Sequence, residues 1–123
     1  MAISQVYLGR AKYNFAIDGG AIGAITPANN FKLPVNAMII GAWTDVKTAM
    51  TSGGSATVAL AVGGVTIKAA TAMDDAAYTG IDYHLARTSA ALTTASGEVT
   101  FTVATAALTA GEVDIYVEYI LAD

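Results

Sequence analysis

The sequence contains no cysteine. That excludes a disulfide framework, a thiolate nucleophile and a cysteine-ligated zinc site. Charge is also scarce: Asp, Glu, Lys and Arg make up 13% of the 123 residues, about half the usual share. The six basic residues (Arg10, Lys12, Lys32, Lys47, Lys68 and Arg87) are scattered, and the formal net charge is −4. No basic stripe exists to neutralise phosphates, so nucleic acid is not an expected partner. No apolar run reaches the length of a membrane-spanning helix, so a membrane is not expected either. Met1–Gln5 lacks the basic stretch and apolar run of a secretory leader. The chain therefore reads as a soluble product made in the cytoplasm.

What remains is small and apolar. Hydrophobic residues form 54% of the chain, with Ala dominant and Thr frequent beside it. A monomer in water normally keeps a more charged surface, and loss of charge marks the cores of protein interfaces. The composition points to a domain that packs against other protein. The length fits one domain and is enough for a real core.

Pattern gives the fold class. In Glu98–Ala104, Val99, Phe101 and Val103 share one face, and Thr100 and Thr102 share the other. In Glu112–Tyr119, Val113, Ile115, Val117 and Tyr119 alternate with Glu112, Asp114, Tyr116 and Glu118. Period two is the mark of a strand with one buried face, and β-branched and aromatic residues suit strands. The two strands read as a C-terminal hairpin; their link, Ala106–Gly111, ends in a turn-type Gly and has the length of a hairpin loop or a short crossover between sheets. Val58, Leu60 and Val62 share a face before Gly63-Gly64, and Val65–Lys68 follows. Two glycines between alternating runs predict a primed hairpin turn, whose central residues need positive φ.

Ala37–Met50 reads as one long strand that bends near Gly41. Ala11–Ile17 reads as a strand ended by Asp18-Gly19-Gly20. Phe31–Pro34 is an extended piece held to an edge by its proline. Asp74 or Asp75 is placed to cap a short helical turn reaching Tyr78. Tyr83–Leu85 reads as extended, and Ala90–Gly97 as a loop. Repeated short strands separated by turns argue for an all-β fold, an antiparallel β-sandwich or jelly-roll-like single domain. Residues 11–123 form that domain in this reading, and residues 1–10, which lack patterning, form an N-terminal arm.

Three stretches carry a family resemblance. Leu33-Pro34-Val35-Asn36-Ala37 precedes a strand, and Asp45-Val46-Lys47-Thr48 lies further along it. Thr51-Ser52-Gly53-Gly54-Ser55-Ala56-Thr57 turns into the next strand. Leu108-Thr109-Ala110-Gly111 leads to the closing Val117-Glu118-Tyr119. Together they resemble small virion structural proteins of tailed bacteriophages. The resemblance implies a capsid decoration, or cement, protein on the virion surface. Its implied partners are the major capsid protein and copies of itself, as a homo-oligomer. A tail, baseplate or fibre component is the alternative, and a carbohydrate-binding attachment module is a further one.

The residues offer little chemistry. His84 with Asp82 has the spacing of a base and its orienter on one strand face, but no nucleophile joins them; a solvated or interface histidine is the simpler reading. Asp74, Asp75 and Asp82 lack the spacing of a calcium loop, and capping explains the pair. Gly19-Gly20-Ala21-Ile22-Gly23 lacks the Lys and Ser/Thr of a phosphate loop and reads as a turn. Trp43, Tyr78, Tyr83, Tyr116 and Tyr119 suit a sugar platform or, more simply, core and interface anchors. Glu112, Asp114 and Glu118 give the last strand an acidic face, either solvated or docked on a basic neighbour. No catalytic, cofactor-binding or metal residue is assigned, no cofactor is expected, and the chain is not read as an enzyme.

Overall fold

The computed structural model describes residues 5–85 and 91–121. Period-two alternation in the sequence becomes alternation of burial. In β4 (Thr57–Val62), Val58, Leu60 and Val62 are buried and the residues between them are not. In β8 (Val99–Ala104), Val99, Phe101 and Val103 are buried in the same way. The remaining strands are β1 (Tyr7–Asn14), β2 (Gly23–Ile25), β3 (Ala37–Ser52), β5 (Val65–Ala72), β6 (Ile81–Leu85), β7 (Ala91–Leu92) and β9 (Leu108–Leu121). A helical turn, α1 (Phe15–Asp18), follows β1, and a 3-10 turn spans Ala76–Tyr78.

The strands form two antiparallel sheets. Sheet I has the order β1-β9-β3-β6, with β7 also on β3; sheet II has the order β2-β8-β4-β5. The pairs nest: β4 with β5, β3 with β6, β2 with β8, and β1 with β9. The chain is thus one long hairpin, rolled up so that its arms alternate between sheets. This nesting is jelly-roll-like. The tip of the roll is Gly63-Gly64, with φ of 55° and 82°, as the primed turn requires.

One core lies between the sheets. Val113, Ile115, Val117, Ile39 and Ala42 from sheet I meet Val58, Leu60, Val62, Val99 and Phe101 from sheet II. At its centre the Tyr13 and Phe101 rings stack across the gap, 4.0 Å apart and nearly parallel. The Tyr13 hydroxyl escapes burial without a partner by donating to Gly19 O at 2.6 Å. Each large side chain buried this way stabilises the fold by roughly 1.5–3 kcal/mol. Asn30 ties an irregular segment to the core: its amide donates to Val99 O at 2.9 Å and accepts from Val99 N at 3.0 Å. That side chain stands in for a paired strand residue, which satisfies backbone groups that would otherwise be buried without partners.

Several expectations hold. β3 is a single strand, with a register shift between Ile39 and Gly41. Asp75 caps the 3-10 turn by accepting from Ala77 N.

Others need correction. The strand expected over Ala11–Ile17 starts at Tyr7 and stops at Asn14. Residues Tyr7–Arg10 pair with Tyr116–Tyr119, so they belong to sheet I and not to an arm; residues 1–4 lie outside the described residues. The inward positions of β1 begin with Gly9 and Ala11, which carry no hydrophobic signal. Gly9 is required there because a Cβ would run into the Phe31 ring. Phe15–Asp18 leaves the strand because Asn14 caps a helical turn, and Asp18 accepts from Asn14 N and Ala28 N.

β8 and β9 are not a hairpin. They lie in different sheets, and the link crosses the sandwich edge with Thr105 at φ 74°. Gly111 is inside β9 and not in a turn. Its φ is 147°, and a Cβ would sit 2.7 Å from Met50 Cγ. Residues 91 and 92 of the expected loop form β7 on Ile39 and Met38.

Candidate interaction surface

The outer face of sheet I is where register brings unlike residues together. Arg10 on β1 is opposite Tyr116 on β9, Tyr116 is opposite Trp43 on β3, and Trp43 is opposite Tyr83 on β6. The result is one row across four strands. The Trp43 and Tyr116 rings stack at 5.5 Å and 16°. Tyr83 tilts against Trp43 at 5.9 Å, and the Arg10 guanidinium sits over Tyr116 at 5.9 Å. Cross-strand aromatic pairs and a cation over a ring each hold such a row in place by a fraction of a kcal/mol to about 1.5 kcal/mol.

The next row is charged. Lys12 is opposite Asp114, which is opposite Asp45, which is opposite Ile81. Asp114 has a side chain only 2% exposed, with Arg10 Nη2 at 3.3 Å and Lys12 Nζ at 3.8 Å. Lys12 also reaches Glu112 at 2.9 Å, and Lys47 reaches Asp45 at 2.6 Å. The hydrogen bond to Glu112 and the charge of Asp114 raise the Lys12 pKa, and Asp45 raises that of Lys47. Glu118, next along β9, is engaged as well. Cations and carboxylates on this face therefore answer one another locally.

This changes the meaning of the acidic strand face. Period two correctly puts Asp114 on the outer side of the sheet, yet the residue is buried. The long side chains of Arg10 and Lys12 lie against it. It cannot be the contact point for a basic neighbour while those cations occupy it.

Large apolar side chains end both rows at β6, and Leu8 stands beside them on β1. Leu8 is 58% exposed, Ile81 70% and Tyr83 72%. Exposed apolar residues in one neighbourhood mark an interaction surface more than scattered ones do. The outer face of sheet II differs in kind. Thr57 is opposite Ala104, Ala59 opposite Thr102, and Ala61 opposite Thr100, so β4 and β8 present a small, uncharged checkerboard.

The other singled-out residues separate. Tyr78 is core, its hydroxyl donating to Val58 O at 2.9 Å. Tyr119 stacks on Tyr7 at 5.5 Å, away from the Trp43 row. His84 is half-buried. It points inward from β6, its Nε2 2.6 Å from the buried Thr44 Oγ1 and its ring 5.7 Å from Tyr78. Burial lowers its pKa, which Asp82 opposes and Lys68 reinforces. Gly19 closes α1 with φ 73°, and Gly20 lies tight against Leu108 O, so this Gly-rich stretch forms a turn against β9. Sequence reasoning missed Arg10, Lys12 and Asp45 as members of one surface, because only the pairing register brings them beside β9.

No protein-family model matches the chain, and no curated protein matches it in sequence. Solved structures do match in shape. A chain of the acid-stable capsid of Helicobacter pylori bacteriophage KHP30 superposes with a TM-score of 0.63 at 15% identity, covering 97% of this chain and 94% of that one. A chain of the cyanophage Pam1 capsid gives 0.61 at 23% identity, over 97% and 86%. A chain of the Ralstonia phage GP4 capsid gives 0.61 at 20% identity, over 97% and 86%. These likenesses show a shared fold.

Proposed function

We propose that this protein is a bacteriophage virion structural protein, and that it acts as a capsid decoration protein. The observation that carries the reading is the pair of coverages in the phage-capsid matches. Nearly all of this chain aligns with nearly all of each matched chain. The fold therefore occurs in capsids as a separate small polypeptide and not as a module of a much larger one. A chain of this size suits an accessory role: it binds a shell built by other subunits.

The mechanism is physical. The two-sheet core makes a rigid plate, and the aromatic row on sheet I adds preformed contact area. A site that buries about 1,000 Å² or more across neighbouring capsid subunits joins them. Repetition by symmetry turns modest contacts into collective resistance to the pressure of packaged DNA. A sugar platform has less support. Trp43 has Tyr116 and Tyr83 against it, and Tyr116 has Trp43 and Arg10, so those ring faces are already occupied.

Labelling this protein in the virion and imaging the particle tests the reading. The expected result is label over the whole capsid, in hundreds of copies. Label confined to a tail, baseplate or fibre in a few copies would replace decoration with the alternative role. Absence of label from the particle would overturn both.

A further inference from the structure

After β5 the chain returns from sheet II to sheet I through a short unit with three parts. The 3-10 turn is an anchor: the buried Tyr78 hydroxyl donates to Val58 O of sheet II at 2.9 Å. Gly80 is a pivot. Its carbonyl accepts from Val46 N at 2.9 Å, its φ is 70°, and nothing lies within 4 Å of where a Cβ would stand, so its backbone is free to turn. β6 comes last. Among the described residues it pairs with β3 alone, and only from Ala42 to Asp45.

That pairing is interrupted at His84. Trp43 is opposite Tyr83, but its neighbour Ala42 is opposite Leu85, so His84 is the extra residue of a β-bulge. A bulge re-aims a side chain, and this imidazole points into the sandwich. Nε2 meets Thr44 Oγ1 at 2.6 Å, while Nδ1 is buried with no hydrogen-bond partner. The arrangement suits a neutral ring that donates from Nε2 to Thr44 and keeps a bare lone pair on Nδ1. In an imidazolium, Nδ1 becomes a charged donor buried without an acceptor, which costs far more.

The groups facing the ring do not relieve that charge in place. Thr44 of β3 is uncharged. Tyr78 of the 3-10 turn is a neutral phenol whose hydroxyl is already given to Val58 O. Lys68 of β5 repels an imidazolium, and Asp82 attracts it. Asp82 is on β6 itself and moves with it, so its attraction does not hold β6 against β3.

We infer that β6 is an acid-released strap: a proton on His84 frees β6 from β3 and lets it swing out about Gly80, while Tyr78 stays anchored and the rest of the two-sheet core remains folded. Release uncovers that edge of β3 and the side of the sandwich beneath Thr44. The device needs only this chain and does not depend on a role in the virion.

Hydrogen exchange of the whole protein, read at single amides by NMR and corrected for the intrinsic rate at each pH, tests it. A released His84 titrates at about 6.5, so protection of the β6 amides and their β3 partners should fall by up to about 30-fold from about pH 8 to about pH 5. The β6 amides should exchange faster than those of β8 and β9 at every pH. They should also respond little to low urea, because the opening exposes little surface. His84→Gln keeps a polar group beside Thr44 and takes no charge, so its β6 protection should not vary with pH. His84 is the only histidine, and its ring signals in the wild type should titrate below the ordinary value; this reading survives even if the variant does not fold. Four results would each overturn the strap. They are β6 protection constant with pH, a pH dependence that persists in His84→Gln, β6 amides that open only together with β8 and β9, and a His84 midpoint at or above about 6.5.

Discussion

Replacing Asp114 with Asn tests whether the covered carboxylate of β9 holds sheet I together. The side chain is 2% exposed, but Arg10 beside it is 53% exposed. Removing one member of a fully buried ion pair costs about 3–5 kcal/mol. Water around Arg10 reduces that here, and a single hydrogen bond to a charged group contributes about 1.5–3 kcal/mol. Asp45 directly opposite subtracts again, because the substitution relieves two carboxylates facing each other. The net expectation for Asp114→Asn is a loss of about 1–2 kcal/mol, or a Tm lower by roughly 3–8 °C in a domain of this size. Urea unfolding measures it, with the exposed Glu98→Gln as a control expected within about 0.5 kcal/mol of wild type. A double-mutant cycle with Arg10→Gln should return a coupling near 1 kcal/mol, and most of the loss should persist in 1 M salt because a buried pair is weakly screened. A stability within about 0.3 kcal/mol of wild type, together with no coupling to Arg10, would refute the account of this face.

Three further predictions follow from local geometry. Gly63→Ala forces φ of 55° on a residue with a Cβ that would sit 2.6 Å from Ala95 O, whereas Gly53→Ala meets nothing within 4 Å; urea midpoints should show a loss of about 2–3 kcal/mol for the first and almost none for the second. Burial lowers the His84 pKa in the fold, so the unfolded chain takes up a proton first: stability is full above about pH 6.5 and falls as pH drops below it. The slope of stability against pH in that window should flatten in His84→Gln, and an unchanged slope would show that His84 is not its source. Burial pushes the Tyr13 phenol up to about 12 and raises that of Tyr78 further. The fold favours both neutral phenols, so stability is lost as pH rises above about 10, and ultraviolet titration should show these two of the six tyrosines ionising only as the protein unfolds.

What the sequence revealed was local. The Gly63-Gly64 turn, the Asp75 cap, the bend near Gly41 and the inward faces of β4 and β8 each depend on residues within a few positions. What it hid was tertiary. The link between β8 and β9 has a length that serves a hairpin or a crossover, and only packing chooses. The start of β1 carries no such signal: its inward residues are Gly9, Ala11 and then Tyr13, so two of three carry no hydrophobic mark. The aromatic set was over-inclusive: Tyr78 and Tyr119 belong elsewhere, and no spacing rule separates them from Trp43, Tyr83 and Tyr116. Asp114 was placed on the correct side of its strand, but side alternation does not reveal that neighbouring side chains cover it.

The nesting of the roll also sets a clock. β9 lies between β1 and β3 in sheet I, yet it follows both in the chain, with β4 to β8 made in between. During synthesis the centre of that sheet is the last part to arrive. Until then β1 and β3 wait with open edges toward a gap one strand wide, and the core has only one complete wall. Folding is therefore tied to the completion of β9, and the half-built roll is the state most exposed to aggregation. A protein made in many copies at once would meet this hazard at the ribosome, before any partner surface matters.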